Sequence, residues 1–310
     1  MHPKIDDLIQ LLCLERIENN IYRGDSRDIG SAQVFGGQVL AQALSAAYQT
    51  VENRIAHSLH AYFLRRGDMN VPIIYEVDQS RDGGSFSVRR VVAIQHGRPI
   101  FNLAASFHKT EEGFDHQDSM PDVEGPDGLK NVTQLLDSMK GVIPEKVQKF
   151  LTTAMPFEFR PVKPLDFLKP EKKSPKRQVW IRVADKLPDN LSLHQSLLAY
   201  VSDFQLLVTC LRPHGIPFGY GVLQMATLDH ALWFHRDCRL DDWILYSTDS
   251  PSTHGARGFA RGQIFRKDGT LIASVSQEGL LRTPDTNRKK VPPSDPRLQI
   301  SFGFILLFLG

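Results

Sequence analysis

The sequence repeats itself once, and that repeat constrains the fold more than any other feature. Tyr62-Phe63-Leu64-Arg65 in the first half answers Trp233-Phe234-His235-Arg236 in the second, and the turn at His96-Gly97 answers Asp268-Gly269. The offset, about 170 positions, stays nearly constant across the unit, whereas short chance matches would drift. The chain therefore carries two copies of one unit.

Within each copy the hydrophobic period changes from helical to extended. Leu40, Ala43, Leu44, Ala47 and Val51 share one face of a helix expected over Gln38 to Val51. Strands follow at His57 to Arg66, Pro72 to Ser80, Ser85 to His96 and Pro99 to Lys109, punctuated by Asp82-Gly83-Gly84 and His96-Gly97. The second half returns an apolar helix from Ser192 to Leu211, then strands near Gly221 to His235, Trp243 to Thr248, Ala256 to Lys267 and Thr270 to Leu281. A short strand is expected ahead of each helix, at Asn20 to Gly24 and at Phe157 to Val162. Sequential strands mostly pair antiparallel, so each helix must lie across one face of a curled sheet, an α+β arrangement and not a doubly wound one.

The expected divisions are a first repeat over 1–110, a linker with helical turns over 111–156, a second repeat over 157–282 and an atypical tail over 283–310. Glu111 to Gly128 is rich in Asp, Pro and Gly, and amphipathic turns follow through Val132, Leu135, Leu136 and Met139. The lysine-rich stretch Lys169 to Lys176 reads as a solvated loop.

Charge and cysteine content exclude several function classes. With 37 basic and 35 acidic residues among 310, the net charge of +2 supplies no bulk field for a nucleic-acid backbone or an anionic membrane. An anionic ligand must be caught locally. Cys13, Cys210 and Cys238 are odd in number and far apart, which fits a reducing, cytoplasm-like compartment better than a disulfide framework or a zinc site. Met1 to Glu15 lacks the apolar block of a signal peptide.

The sequence holds no G-x-S-x-G elbow, no H-E-x-x-H, and no glycine-rich phosphate or dinucleotide loop. No metal and no cofactor is expected. What remains is chemistry by isolated polar residues in apolar surroundings. Asp203 stands in Leu197-Leu198-Ala199-Tyr200-Val201-Ser202-Asp203-Phe204-Gln205-Leu206-Leu207-Val208, a segment apolar on nearly every side. A buried carboxylate costs several kcal/mol unless it is hydrogen-bonded, and burial raises its pKa. It is either a general base that orients water or a carboxylate satisfied by backbone or an arginine. Thr227 and Gln277 lie on strands expected to face that helix and, with a buried acid, would hold one water.

Gly36-Gly37-Gln38 opens the first helix, where free N–H groups receive a carbonyl oxygen or a phosphate, or where small residues simply permit close packing. His57, His60, His230 and His235 invite a catalytic reading alongside a structural one, and His230 and His235 face opposite sides of a strand, which rules them out as a metal pair. Arg65, Arg66, Arg89 and Arg90 are candidates for ligand phosphates, set against ordinary basic positions on a half-exposed strand.

At this point several motifs in order resemble one family. Val34-Phe35-Gly36-Gly37-Gln38-Val39, His57-Ser58-Leu59-His60-Ala61-Tyr62-Phe63-Leu64-Arg65, Gly84-Ser85-Phe86-Ser87-Val88-Arg89, Leu228-Asp229-His230-Ala231-Leu232-Trp233-Phe234-His235 and Ser276-Gln277-Glu278-Gly279 are similar to the acyl-CoA thioesterase II family, over about Ile5 to Arg282. The resemblance implies a double hotdog fold, hydrolysis of fatty acyl-CoA to free acid and CoA, and a water activated by the residues matching the family's Asp, Thr and Gln, here Asp203, Thr227 and Gln277. Gly36, Gly37, His57, Arg65 and Arg89 are the substrate-binding candidates. It also implies a homodimer or homotetramer.

Two rival readings belong beside it. A hydratase or dehydratase on the same fold needs a converging acid and base, and Asp229-His230, the tempting pair, are strand neighbours that face apart. A non-catalytic acyl-CoA binding module would bind without releasing thiol and would leave a buried Asp203 unexplained.

The family pattern stops after Arg282. Asp285 to Pro296 is polar and proline-rich, and Ile300 to Leu309 is an apolar run about half the roughly 20 residues of a spanning helix, so no stable membrane insertion is expected. Phe308-Leu309-Gly310 is not an S-K-L-type peroxisomal address, which favours the cytoplasm over the peroxisome. The tail is a subunit-contact segment, a weak membrane contact or a non-native reading-frame extension; the last is favoured, and its removal should leave activity intact.

Overall fold

Alternating apolar residues on the strands and wide apolar faces on the helices give each half of the chain one sheet and one buried helix to cover. The computed structural model describes residues 3–27, 33–137, 156–163, 171–215 and 223–282. The first repeat runs α1 (Pro3–Leu12), β1 (Glu15–Glu18), β2 (Ile21–Gly24), α2 (Gly36–Tyr48), β3 (Ile55–Phe63), β4 (Ile73–Asp82), β5 (Phe86–Gln95) and β6 (Arg98–His108). After a linker carrying α3 (Val132–Asp137), the second runs β7 (Phe157–Pro161), β8 (Lys176–Val183), α4 (Leu191–Ser202), α5 (Leu206–Leu211), β9 (Gln224–Thr227), β10 (Asp229–Phe234), β11 (Ile244–His254), β12 (Arg257–Arg266) and β13 (Leu271–Arg282).

Among the described residues these thirteen strands make one antiparallel sheet in the order β1-β2-β4-β5-β6-β3-β10-β13-β12-β11-β8-β7, with β9 pairing β13. The repeat is legible in the ladders themselves. The β4/β5 register slips between Asp78 and Arg81, and the β11/β12 register between Asp249 and Ser252. Likewise β5/β6 slips between Ala93 and Ile94, and β12/β13 between Ile264 and Phe265. Such bulges sharpen the local twist, so both halves curl at the same places. The halves join where β3 pairs β10, from Tyr62 opposite Asp229 to Ser58 opposite Trp233. This is a double hotdog.

Helices α2 and α4 lie back to back inside the curl. Ala41, Ala43, Ala46 and Ala47 are buried on α2 beside Leu40 and Leu44, and small side chains let the helices approach closely. Ser45 meets Ser196 at 3.2 Å, and the Tyr48 hydroxyl bonds Gln195. Asn190 caps α4 by accepting from the Leu193 N–H at 3.3 Å. One apolar core, from Ile5 to Leu281, runs through both repeats.

Three local features depart from the sequence reading. The helix expected over Ser192 to Leu211 breaks at Asp203-Phe204-Gln205, where Gln205 takes a left-handed backbone (φ 70°). Apolar periodicity continues on both sides of the break and so conceals it. The strand expected over Gly221 to His235 is two, because Leu228 leaves the ladder between β9 and β10 to donate to Glu278 O and accept from Phe63 N. Strand β8 and helix α1 were not anticipated; β8 opens on the polar Lys176-Arg177-Gln178 that continues the lysine-rich stretch, and α1 buries only Ile5, Leu8 and Leu12. The tail over 283–310 lies outside the described residues, as does Met139. Among the described residues no helix is long and apolar enough to cross a membrane.

Candidate active site

The break that ends α4 creates the site. Asp203 is the C-cap residue of α4, so its side chain leaves the helix axis instead of packing along it. There it stands at the negative end of its own helix and faces the first residues of α2, whose positive end offsets that penalty. Gly36 and Gly37 make this meeting possible. A Cβ on Gly36 would lie 2.7 Å from Asp203 Oδ2, and one on Gly37 would lie 2.3 Å from the Tyr200 carbonyl oxygen. The site is thus shared: the carboxylate comes from the second repeat and the helix start that faces it from the first.

Asp203 is 6 % exposed, with Phe35, Tyr200 and Phe204 packed as an aromatic cluster beside it and the Phe63 ring against Gly36. Burial pushes its carboxyl above the ordinary carboxylate range. The nearby His230, the Thr227 hydroxyl, the Gly37 N–H and the Gln277 amide pull it back down. Thr227, at the end of β9, donates to Asp203 Oδ1 at 3.2 Å, and Gln277 on β13 donates from Nε2 to Thr227 Oγ1 at 3.0 Å. The three residues that the resemblance singles out therefore form one hydrogen-bonded group. Thr227 is its least buried member.

His230 completes the group, and the sequence reading left it undistinguished from three other histidines. It is 1 % exposed on β10, with Nδ1 2.7 Å from Gln277 Oε1 and Nε2 2.9 Å from Ser202 Oγ. Burial lowers the pKa of its imidazole, opposed by Asp203 and Gln277. A signal for it existed: His230 shares an alternating inward face with Leu232 and Phe234. Asp229 points the other way and accepts from the Glu278 N–H at 2.7 Å, so the two do not work as a pair.

The other candidates lie elsewhere. Half-buried His57 bonds Ser106 Oγ at 2.8 Å among Phe86 and His108. Arg65 is exposed and donates to the Pro99 carbonyl at 2.6 Å. Arg89 is 1 % exposed, and its guanidinium is committed to Thr50, to the Arg81 and Val88 carbonyls, and to Asp82 at 2.8 Å. His60 stacks edge-on against Trp233, and His235 bonds Ser274.

A buried carboxylate, a hydroxyl and an amide joined by hydrogen bonds suit activation of water, and the Ser202 hydroxyl that bonds His230 is 0 % exposed. Comparison with known proteins identifies the family. The acyl-CoA thioesterase family matches residues 148–280, and the acyl-CoA thioesterase N-terminal domain matches residues 23–108. Acyl-CoA thioesterase 2 of Haemophilus influenzae is 44% identical over 284 residues, covering 91% of this chain and 99% of its own. This chain belongs to the acyl-CoA thioesterase II family. Human acyl-coenzyme A thioesterase 8 is 36% identical, covering 91% of each chain. The crystal structure of acyl-CoA thioesterase II TesB2 from Mycobacterium marinum superimposes with a TM-score of 0.73 at 41% identity, over 89% of this chain and 98% of that one. As a member of the family this chain is a thioester hydrolase, and acyl-CoA thioester hydrolysis is the reaction its site has to serve.

Proposed function

We propose that this thioesterase hydrolyses acyl-CoA by direct attack of water, with Asp203 as general base and Thr227 and Gln277 as the groups that hold the water. The observation that carries this reading is the buried Thr227–Asp203–Gln277 group at the junction of the repeats. Asp203 takes a proton from water as the new C–O bond forms; the C–S bond then breaks, the electron pair leaves on sulfur, and the proton returns to the thiolate. A thiol with a pKa of about 8.5 leaves readily, so little acid assistance is required. Burial favours the arrangement, because it raises the affinity of Asp203 for the proton.

Asp203→Asn tests the assignment. Release of CoA should fall by about 100-fold or more, the loss typical when a general base is removed, while acyl-CoA still binds. Full turnover by a folded Asn variant would overturn it.

The setting follows from the same chemistry. Cys13, Cys210 and Cys238 all carry free thiols, which supports a cytoplasmic location. Among the described residues the sheet ends at β1 and β7, and edge strands of this kind support assembly into a homodimer or homotetramer. Sedimentation velocity should give twice or four times the 35.0 kDa chain mass; a purely monomeric species at micromolar concentration would exclude that assembly.

A further inference from the structure

We propose that His230 is a positioning residue that fixes which end of the Gln277 amide faces the attacking water; the inference rests on Gln277 holding that water. Counting protons along the hydrogen bonds leaves one consistent arrangement. The Asp203 carboxylate only accepts, so the single proton of Thr227 goes to it at 3.2 Å. Thr227 Oγ1 must then accept, and Gln277 Nε2 donates to it at 3.0 Å. With its amino group turned to Thr227, Gln277 presents Oε1 to His230 Nδ1 at 2.7 Å, and that nitrogen must carry the hydrogen.

In the neutral ring Nε2 is then bare and accepts from Ser202 Oγ at 2.9 Å. Ser202 has a second acceptor, the Ala199 carbonyl at 2.9 Å, so its hydroxyl serves the ring in either protonation state without moving. The Tyr246 hydroxyl holds the Ser202 backbone in turn by donating to its carbonyl oxygen at 2.9 Å. The series starts at Ser202 and returns to Asp203, adjacent residues at the end of α4, which makes it a closed ring tied to one turn of backbone.

An amide reads nearly the same in shape either way round, so only its partners decide its direction. A reversed Gln277 would aim Oε1 at Thr227 and force that hydroxyl to abandon Asp203. Among the described residues, the hydrogen bond recorded to Gln277 Oε1 is the one from His230 Nδ1. Ser202, His230 and Gln277 are 0 %, 1 % and 1 % exposed, so water cannot replace a lost N–H there.

The test is a set of full-chain variants assayed for CoA release. His230→Leu should lower kcat about 10- to 100-fold, the scale of a misplaced catalytic group, with KM nearly unchanged. His230→Asn, whose side-chain N–H falls close to the imidazole Nδ1, should restore most of kcat. In a Gln277→Ala background His230→Leu should cost nothing further, because a residue acting through Gln277 has nothing left to act on. The inference is overturned if folded His230→Leu keeps full kcat, if Asn rescues nothing, or if the two losses add in full. Nitrogen-15 NMR of the parent protein checks it without any variant: protonated Nδ1 and bare Nε2 are expected, and the opposite neutral tautomer overturns it. Full activity in Gln277→Ala would instead remove the reading of the site on which the inference rests, a result the His230 variants alone cannot produce.

Discussion

At the scale of single residues the molecule maintains a charge where charge is expensive. Asp203 is raised above the ordinary carboxylate range chiefly by burial, so the folded protein holds its proton more tightly than the unfolded chain does. The stabilisation this gives is complete below the ordinary carboxylate pKa and is lost as pH rises through the raised one. Activity has the opposite sign, because only the ionised form accepts a proton from water. The kcat profile should therefore climb with pH through the raised Asp203 pKa. Asp203→Asn should melt at a higher temperature than the parent at neutral pH, with the gap closing as pH falls into the ordinary carboxylate range; an Asn variant less stable at every pH would contradict this. Sequence alone could single out Asp203, because an acid inside Leu197 to Val208 needs compensation, but only the family resemblance decided between a catalytic acid and a structurally satisfied one. Thr227 and Gln277 were within reach as polar residues on strands facing that helix and through the family resemblance; the closure of the ring through His230 and Ser202 was not. Thr227 is at home in any strand, and the value of His230 depends on Gln277 and Ser202, which only tertiary packing brings together.

At the scale of elements the decisive contact is the start of α2 against the end of α4. Gly36 and Gly37 are neighbours in sequence yet meet different obstacles, so they should fail differently. Gly36→Ala presses a methyl against Asp203 Oδ2 and the Phe63 ring, side-chain atoms able to yield. Its cost should fall on kcat, roughly 10- to 100-fold, with a small change in melting temperature. Gly37→Ala meets the Tyr200 backbone carbonyl, which cannot turn aside, and should cost about 1–3 kcal/mol of stability by forcing the helices apart. Equal thermal losses in the two variants would refute the distinction. The strands of both repeats were legible from their alternation to within two or three residues, except β1 and β8, which the reading missed, the place where Leu228 leaves the ladder, and the end of β11, which runs on to His254. The kink at Gln205 was hidden, since an apolar helix that bends inside a core looks the same in sequence as one that does not.

At the scale of the whole chain, the β3–β10 junction relates the two repeats by an approximate two-fold axis. The positions that match Thr227, His230 and Gln277 in the first repeat hold Ala56, Leu59 and Ala105, all buried. Beside them Tyr48 accepts from the Ala56 N–H at 2.9 Å and bonds Gln195, a neutral pair that fills the opposite junction of the helices. If Asp203, Thr227 and Gln277 activate the water as proposed, one catalytic centre per chain is expected. Calorimetric titration of Asp203→Asn with acyl-CoA should saturate at one ligand per chain, and a stoichiometry of two would show that the Tyr48 end is also a site.

Fusion of the two halves has a consequence for inheritance. Where a dimer is built from two separate identical subunits, every substitution is made twice, and a buried polar ring useful at one end is imposed on the other. A single gene for both halves lifts that obligation. Ala56, Leu59 and Ala105 are what this chain has done with the freedom: one end keeps the costly chemistry, and its twin is given over to apolar packing.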